Sequence, residues 1–165
     1  MEKPSSVRVG LVLPESYFGE EEWRNAESAL IYADEAASKG VQLLLYPEGY
    51  PGPMTGPLDN PKFPFNPVEE LKKKAKDHAM YIIAGDVTES EMPGAYLLNL
   101  RMFSPEGKEI ACYLRQQPDT PPLNAYLYGG KGHLLPGQSP CVVETELGKI
   151  GLQICSELWV PELPR

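Results

Sequence analysis

Residues 7–46, VRVGLVLPESYFGEEEWRNAESALIYADEAASKGVQLLLY, contain a complete strand-helix-strand pattern. The first seven residues are an apolar run stopped by Pro14, which is typical of a strand buried on both faces. From Glu21 to Lys39 apolar residues recur at helical spacing, and Gly40 follows where a C-cap glycine belongs. The second apolar run, residues 41–46, then predicts a strand parallel to the first.

The same helix-to-strand step recurs further along the chain. The sequence Asn66-Pro67-Val68-Glu69 offers an N-cap, a first-turn proline and an acidic residue at the third helical position. A stripe of apolar residues continues this helix: Val68, Leu71, Ala75 and Ala79. Residues 80–84 are predicted to form the next strand. Alternating helices and strands favour the α/β fold class.

The second half of the chain is richer in strand patterns. Segments 96–103 and 110–114 flank a turn and predict an antiparallel hairpin. Residues 116–139 contain too many prolines and glycines for long regular structure, and such loops are often functional. Segments 141–144 and 149–154 are predicted as the last strands, and the start of a helix follows them.

Length and composition limit the class of protein. The chain has 165 residues, which we interpret as one domain over residues 1–165. Its net charge of −8 makes a nucleic acid an unfavourable partner. No apolar run approaches the roughly 20 residues that cross a bilayer, and the N-terminus lacks an apolar signal core. We therefore predict a cytoplasmic protein without membrane contact.

Three cysteines occur in the chain, at positions 112, 141 and 155. They are odd in number, widely spaced and accompanied by only two histidines, so neither a disulfide framework nor a metal site is expected. Because free cysteine is commonly buried, we predict Cys112 and Cys141 to be small apolar residues of strands.

Cys155 and Glu48 each follow an apolar strand. A thiol at a strand end before a helical turn gains from nearby backbone N–H groups such as that of Ser156, which favour the thiolate and can bind an oxyanion. A carboxylate at the edge of the core can act as a general base. The residues alone also permit a buried strand-end cysteine and a turn-capping glutamate.

Two motifs give these residues a wider context. The segment GVQLLLYPE, residues 40–48, and the segment GKIGLQICSE, residues 148–157, resemble the glutamate and nucleophile motifs of the nitrilase superfamily of carbon-nitrogen hydrolases. Asn25 and Pro136-Gly137 also fall where that family has an Asn and a Pro-Gly. The resemblance implies an α-β-β-α sandwich, here apparently truncated at the C-terminus, and a homo-oligomer.

The resemblance also implies a chemistry. Family members use a cysteine nucleophile, a glutamate base and a lysine to hydrolyse a small amide, carbamoyl compound or nitrile through a thioester, without metal or cofactor. Cys155 and Glu48 match the first two roles. Arg115 stands where the lysine is expected, after Tyr113-Leu114, and this exchange is not conservative. Substrate or oxyanion contacts are then expected from four residues: Tyr113, Lys131, Ser156 and Glu157.

Other interpretations remain open from the sequence. The family has a second glutamate after the lysine, whereas this chain offers only Asp119 or Asn124. The missing second glutamate and the presence of Arg115 in place of lysine favour an alternative: a catalytically silent binding or regulatory subunit. Lys131 is a candidate replacement cation. His133 is a candidate base for a Cys-His acyl transferase, or a surface residue of a loop.

Overall fold

The structure is a computed structural model that describes residues 5–54, 63–117 and 133–162. Two α-helices are described, α1 (Trp23–Ser38) and α2 (Pro67–Asp77), together with 3₁₀ turns at Gly19–Glu21 and Cys155–Trp159. The strands are β1 (Val9–Leu11), β2 (Leu43–Leu45), β3 (Tyr81–Glu89), β4 (Ala95–Phe103), β5 (Glu109–Leu114), β6 (His133–Leu134), β7 (Cys141–Thr145) and β8 (Gly148–Leu152).

The strands form two sheets. The larger has the order β1-β2-β3-β4-β5, and β6 pairs with the start of β4 beside β5. β1, β2 and β3 run parallel, whereas β3-β4 and β4-β5 are antiparallel. The second sheet is the hairpin of β7 and β8. The predicted parallel pair, the predicted hairpin of β4 and β5 and the last two predicted strands are therefore confirmed.

The helix ends follow the predicted capping signals. The side chain of Asn66 accepts hydrogen bonds from the backbone N–H groups of Val68 and Glu69, at 3.0 and 3.4 Å, and Pro67 opens α2. At the end of α1, Gly40 has a φ of +69°, the left-handed conformation that a helix C-cap glycine adopts. The local sequence thus sets where each helix meets its strand.

The large sheet separates two apolar layers. On one face, alanines of α1 and residues of α2 pack against Leu44, Ile82 and Phe103. On the other face, Ile83, Leu98 and their neighbours pack against residues of the β7-β8 hairpin. Among the described residues, the order of layers is therefore helix, sheet and sheet, which places the hairpin and its following turn over the large sheet.

Three local predictions are wrong. The first strand is not buried on both faces: Val12 packs in the helix-side layer, whereas Leu11, 72% exposed, and Leu13, 95% exposed, belong to neither described apolar layer. The stripe of α2 stops before Ala79, which lies outside the helix with a φ of +49°. Cys112 lies in β5 but is exposed, because it belongs to neither apolar layer and lies opposite the charged Arg101, while Cys141 is half-buried.

No helix in the described part of the chain is long and apolar enough to cross a membrane.

Candidate active site

Cys155 occupies a strained turn directly after the second sheet. Its φ is +53°, a left-handed conformation that is unfavourable for a residue with a side chain. The turn is 3₁₀ rather than the start of an α-helix, and it begins at Cys155 itself. We call residues 154–157 the Cys155 turn. Strained backbone of this kind is common where a nucleophile is presented.

Glu48 reaches the same place from the large sheet. It follows β2 by three residues, and its side chain is 24% exposed. The next residue, Gly49, has a φ of +65°, and its backbone passes so close to Gly85 that a Cβ at Gly85 would lie 2.6 Å from the Gly49 nitrogen. The glycine pair thus allows the chain to turn sharply and direct the Glu48 carboxylate at Cys155, whose thiol is hydrogen-bonded to it.

Arg115 supplies the positive charge. It follows β5, and only 1% of it is exposed. Its Nη1 donates to Glu48 Oε1 at 2.6 Å, its Nη2 to Ser156 Oγ at 2.7 Å, and its Nε to the carbonyl oxygen of Gln117 at 2.9 Å. The guanidinium therefore contacts both the carboxylate that holds the thiol and the residue after the thiol.

The thiol is protonated more readily than an ordinary cysteine. Desolvation raises the pKa of Cys155, and the charge and hydrogen bond of Glu48 raise it further. The backbone N–H of Ser156 and the charge of Arg115 lower the pKa, but they do not compensate. The backbone N–H of Ser156 favours the thiolate, as predicted, but desolvation and then the carboxylate beside the sulfur outweigh it and favour the neutral thiol.

Glu157 and Tyr113 do not face an open site. Glu157 is fully buried, and its Oε2 accepts a hydrogen bond from the Tyr113 hydroxyl at 2.9 Å. Its Oε1 accepts from the backbone N–H of Gln116 at 2.6 Å. The expected contacts of Glu157 and Tyr113 with substrate are thus not supported by this geometry; both residues hold the protein framework around the site. Ser156 remains close enough to take part, since its Oγ contacts Arg115.

The remaining predicted residues have different outcomes. Lys131, Asp119 and Asn124 lie outside the described residues, so their roles stay predictions. His133 lies in β6, where its backbone N–H donates to the carbonyl oxygen of Gly94 at 3.1 Å and its side chain is exposed. The structure places the Glu48 carboxylate beside the Cys155 thiol while the His133 side chain is exposed, which disfavours the Cys-His alternative.

Gly137 contributes a contact that the sequence indicated only as part of a Pro-Gly pair. Its backbone N–H donates to the carbonyl oxygen of Arg115 at 2.8 Å. The chain passes so close that a Cβ at this position would lie 2.2 Å from the carbonyl oxygen of Leu114. Gly137 therefore packs directly on the strand end that carries Arg115.

Within the described ranges, no group of three or more His, Cys, Asp and Glu side chains is arranged to hold a metal ion. The prediction that the site works without metal or cofactor stays a prediction.

The fold and site define a class of α/β protein in which a cysteine, a carboxylate and a cation meet where strands of two facing sheets end. The chain belongs to the carbon-nitrogen hydrolase family, whose model matches residues 8–165. This confirms the resemblance to the nitrilase superfamily.

Known relatives and structures agree with this assignment. The chain is 30% identical over 169 residues to a hydrolase of Schizosaccharomyces pombe, covering 96% of this chain and 50% of that protein. It is 26% identical to the omega-amidase NIT2 of Homo sapiens, covering 84% of this chain and 51% of the relative. The chain thus spans about half the length of the curated relatives it matches.

Among solved structures, an amidase from Nesterenkonia sp. superimposes with a TM-score of 0.73 at 20% identity, covering 95% of this chain and 58% of that one. A mutant of the amidase from Nesterenkonia sp. AN1, described as showing covalent addition of the acetamide moiety of fluoroacetamide at its active site cysteine, has a TM-score of 0.72 at 20% identity, with 99% and 61% covered. These similarities confirm the predicted nitrilase-type α/β fold.

Proposed function

We propose that this chain carries a cysteine-dependent hydrolase site that cleaves the C–N bond of a small amide through a thioester. One observation carries the proposal: the Glu48 carboxylate holds the Cys155 thiol and, at 2.6 Å, the guanidinium of Arg115. A thiol hydrogen-bonded to a carboxylate is arranged for proton transfer, and the nucleophile forms only when that transfer occurs.

In the first half-reaction, Glu48 takes the thiol proton while the Cys155 sulfur attacks the amide carbon. A tetrahedral oxyanion forms, and the proton on Glu48 passes to the leaving nitrogen. The C–N bond then breaks, releasing ammonia or an amine and leaving an acyl group on the sulfur. In the second half-reaction, Glu48 takes a proton from water, the hydroxide attacks the thioester, and the acid leaves as the thiol is restored.

Arg115 has two tasks in this scheme. Its charge stabilises the Glu48 carboxylate in the resting site, and the same guanidinium lies next to Ser156, where the oxyanion would form. Stabilisation of the oxyanion by fixed donors in a buried site is often the largest contribution to catalysis. Because Arg115 replaces the expected lysine, the charge is retained but is spread over a larger planar group.

Small amides are the substrate class that we test first, because several relatives are named omega-amidases. N-carbamoyl compounds and nitriles follow as the other classes that the resemblance implies. Since the chain spans about half of those relatives, its activity and substrates are part of the proposal. The resemblance also leads us to propose a single domain over residues 1–165 that acts as a homo-oligomer in the cytoplasm, which sedimentation and fractionation would test.

A silent binding subunit is the second candidate, and one contact favours it. Arg115 is already bound to Glu48 and Ser156, so the cation that should meet the oxyanion is committed to the protein. In that case the site binds an amide through the same groups, but the thiol does not attack.

The decisive experiment measures ammonia release from a panel of small amides. We expect turnover by the wild type, no detectable turnover by Cys155→Ala, and a loss of roughly 10²–10⁴-fold in kcat for Glu48→Gln, because the general base is removed. Cys112→Ala is the matched control and should retain full activity, since the Cys112 thiol contacts Asn99 Oδ1 at 3.8 Å and lies opposite Arg101.

Arg115→Lys separates the two candidates. A hydrolase that uses Arg115 retains turnover in Arg115→Lys and loses roughly 10²-fold or more in Arg115→Met, as expected for loss of an oxyanion donor. A wild type that binds amides without turnover, and an Arg115→Lys variant that gains turnover, would instead establish the silent subunit.

A further inference from the structure

The buried carboxylate of Glu157 connects two segments of the site that are far apart in sequence. It is two residues after Cys155 and has 0% exposure. A buried charged group is costly unless hydrogen bonds compensate it. Here four donors surround the two carboxylate oxygens and compensate the cost of burying the charge.

One oxygen holds the segment that carries the positive charge. Glu157 Oε1 accepts the backbone N–H groups of Gln116 at 2.6 Å and Gln117 at 3.1 Å. The carbonyl of Gln117 in turn accepts from Nε of Arg115 at 2.9 Å. We call residues 113–117 the Arg115 strand end. The position of the guanidinium thus depends on backbone groups that Glu157 fixes.

The other oxygen holds the nucleophile. Glu157 Oε2 accepts the backbone N–H of Ile154 at 2.7 Å, while its own N–H donates to the carbonyl oxygen of Ile154 at 3.2 Å. These reciprocal bonds enclose Cys155, whose backbone has the left-handed φ of +53°. The same oxygen accepts the Tyr113 hydroxyl at 2.9 Å, which joins the Cys155 turn to the Arg115 strand end.

We propose that Glu157 is a positioning residue that holds the left-handed Cys155 turn against the Arg115 strand end, and thereby sets the distance from thiol to Glu48 and guanidinium. The inference rests on the proposed function for the role of Cys155 as nucleophile. Glu157 does not touch substrate, and its effect on the reaction passes through Cys155 and Arg115.

Only a carboxylate satisfies all four donors. Each of its oxygens accepts two hydrogen bonds here, whereas a glutamine side chain has one such oxygen and an amide that can only donate. In Glu157→Gln the amide group must face one of the two pairs of donors. When the amide nitrogen faces Tyr113 and Ile154, the Tyr113 hydroxyl can rotate and accept a hydrogen bond from it. The backbone N–H of Ile154 cannot accept and loses its partner, so the Cys155 turn is the part that loosens.

The test is alkylation of the full chain by iodoacetamide across a pH series, with each cysteine followed by peptide mass spectrometry. In the wild type, desolvation and Glu48 keep the pKa of Cys155 high. We expect Glu157→Gln to move the thiol away from Glu48 and so lower the pKa of Cys155, so that its alkylation at neutral pH accelerates by about ten-fold.

Cys141 is the internal control, because its thiol lies in β7 and desolvation alone raises its pKa. Its alkylation should be unchanged in Glu157→Gln. Glu144→Gln, at an exposed salt bridge to Lys149, is the control variant and should leave both cysteines unchanged. An unaltered Cys155 profile in Glu157→Gln, or equal acceleration of Cys141, overturns the proposal.

Glu157→Asp is the second variant. It keeps the charge but is shorter by one methylene, so it cannot reach both segments, and it should show the same selective acceleration at Cys155. If neither variant folds, Glu157 supports the whole domain rather than the site, and the proposal is rejected. Because alkylation needs no amide substrate, failure of the proposed hydrolase activity would leave this result readable.

Discussion

The Cys155 sulfur lies between two opposite charges, and their balance decides when it reacts. Desolvation raises the pKa of Cys155 most, and the negative charge and hydrogen bond of Glu48 raise it further. The positive charge of Arg115 lowers it. The resting site therefore holds Cys155 as a thiol, and in the reaction that we propose the thiol proton passes to Glu48 when substrate is present.

This balance predicts opposite effects of Glu48→Gln on two reactions of the same sulfur. Removing the carboxylate charge lowers the pKa of Cys155 toward its ordinary value, so more thiolate is present at neutral pH and alkylation by iodoacetamide becomes faster. Turnover of an amide falls in the same variant, because the base is absent. Parallel pH profiles of alkylation and ammonia release check both effects.

Arg115→Met provides the complementary control for that experiment. Loss of the positive charge should raise the pKa of Cys155 further and slow its alkylation at neutral pH. If Glu48→Gln slows alkylation, or if both variants shift the profile in the same direction, the two charges do not act on the sulfur as the contacts indicate.

At the level of residues, the sequence predicted which groups meet but not their state. Cys155, Glu48 and Arg115 were predicted from motifs and strand ends, and the structure places them together. The raised pKa of Cys155 was not predicted, because it depends on burial in the folded chain and on a contact with Glu48, 107 positions away in the sequence. The left-handed φ of Cys155 was also missed, since no glycine marks the position.

The end of α2 has an alanine at a position after the helix where glycine is usual. The helix ends at Asp77, and the backbone N–H of Met80 donates to the carbonyl oxygen of Ala75 at 3.1 Å. Between them, Ala79 has a φ of +49° and is exposed. Glycine is usual at such a C-terminal position, because it has no Cβ to oppose the left-handed conformation.

We therefore expect Ala79→Gly to increase the free energy of unfolding by about 1 kcal/mol, which raises Tm by about 2–4 °C in a chain of this size. Thermal unfolding followed by circular dichroism measures the change. Ala37→Gly makes the same substitution inside α1, where it should instead destabilise by up to about 1 kcal/mol. Equal effects of the two variants would contradict the conformational explanation.

Element boundaries were the part of the fold least accessible from sequence. The segment after residue 84 is polar, yet β3 continues to Glu89 because its whole length pairs with β4. Such pairing depends on a neighbouring strand rather than on local pattern. Helix starts were better predicted, because Asn66 and Pro67 act within one turn.

On the scale of the whole molecule, Asp34 connects the two helices that cover the large sheet. Its carboxylate accepts from Lys74 Nζ at 2.5 Å and lies 2.7 Å from Nε2 of His78. The hydrogen bond from Lys74 lowers the pKa of Asp34 most, and the hydrogen bond from His78 lowers it further below its ordinary value. The ion pair stabilises the native state above the unfolded pKa, and this contribution is lost as the pH falls through the lowered value.

Asp34→Asn should therefore lower the free energy of unfolding at neutral pH by roughly 0.2–1 kcal/mol, a small effect because Asp34 is half exposed. The difference from wild type should shrink in high salt and vanish at strongly acidic pH. Urea unfolding across pH and salt series measures it. Glu35→Gln, which breaks the pair with Lys39 at the C-terminal end of α1, is the control and should cost less. A salt-independent loss in Asp34→Asn would indicate a packing defect instead.

The layer arrangement was predicted from the family resemblance and the helix-strand order together, whereas the exposure of β1 was not. An apolar run reads the same whether one face of the strand is covered or both, because the pattern does not record what packs on each face. The position of β1 in the sheet depends on all the other strands.

The tight passage of Gly137 over Leu114 also bears on how sequences of this kind vary. A side chain at that position would have to displace a backbone carbonyl, whereas a Cβ at Gly151 in β8 meets nothing within 4 Å. A glycine retained at 137 through otherwise divergent sequences would therefore mark chains that still build the Arg115 strand end in this form. Substitution of Gly151 would give no such information, because a side chain there displaces nothing. The two glycines would therefore differ in what their retention reveals about ancestry.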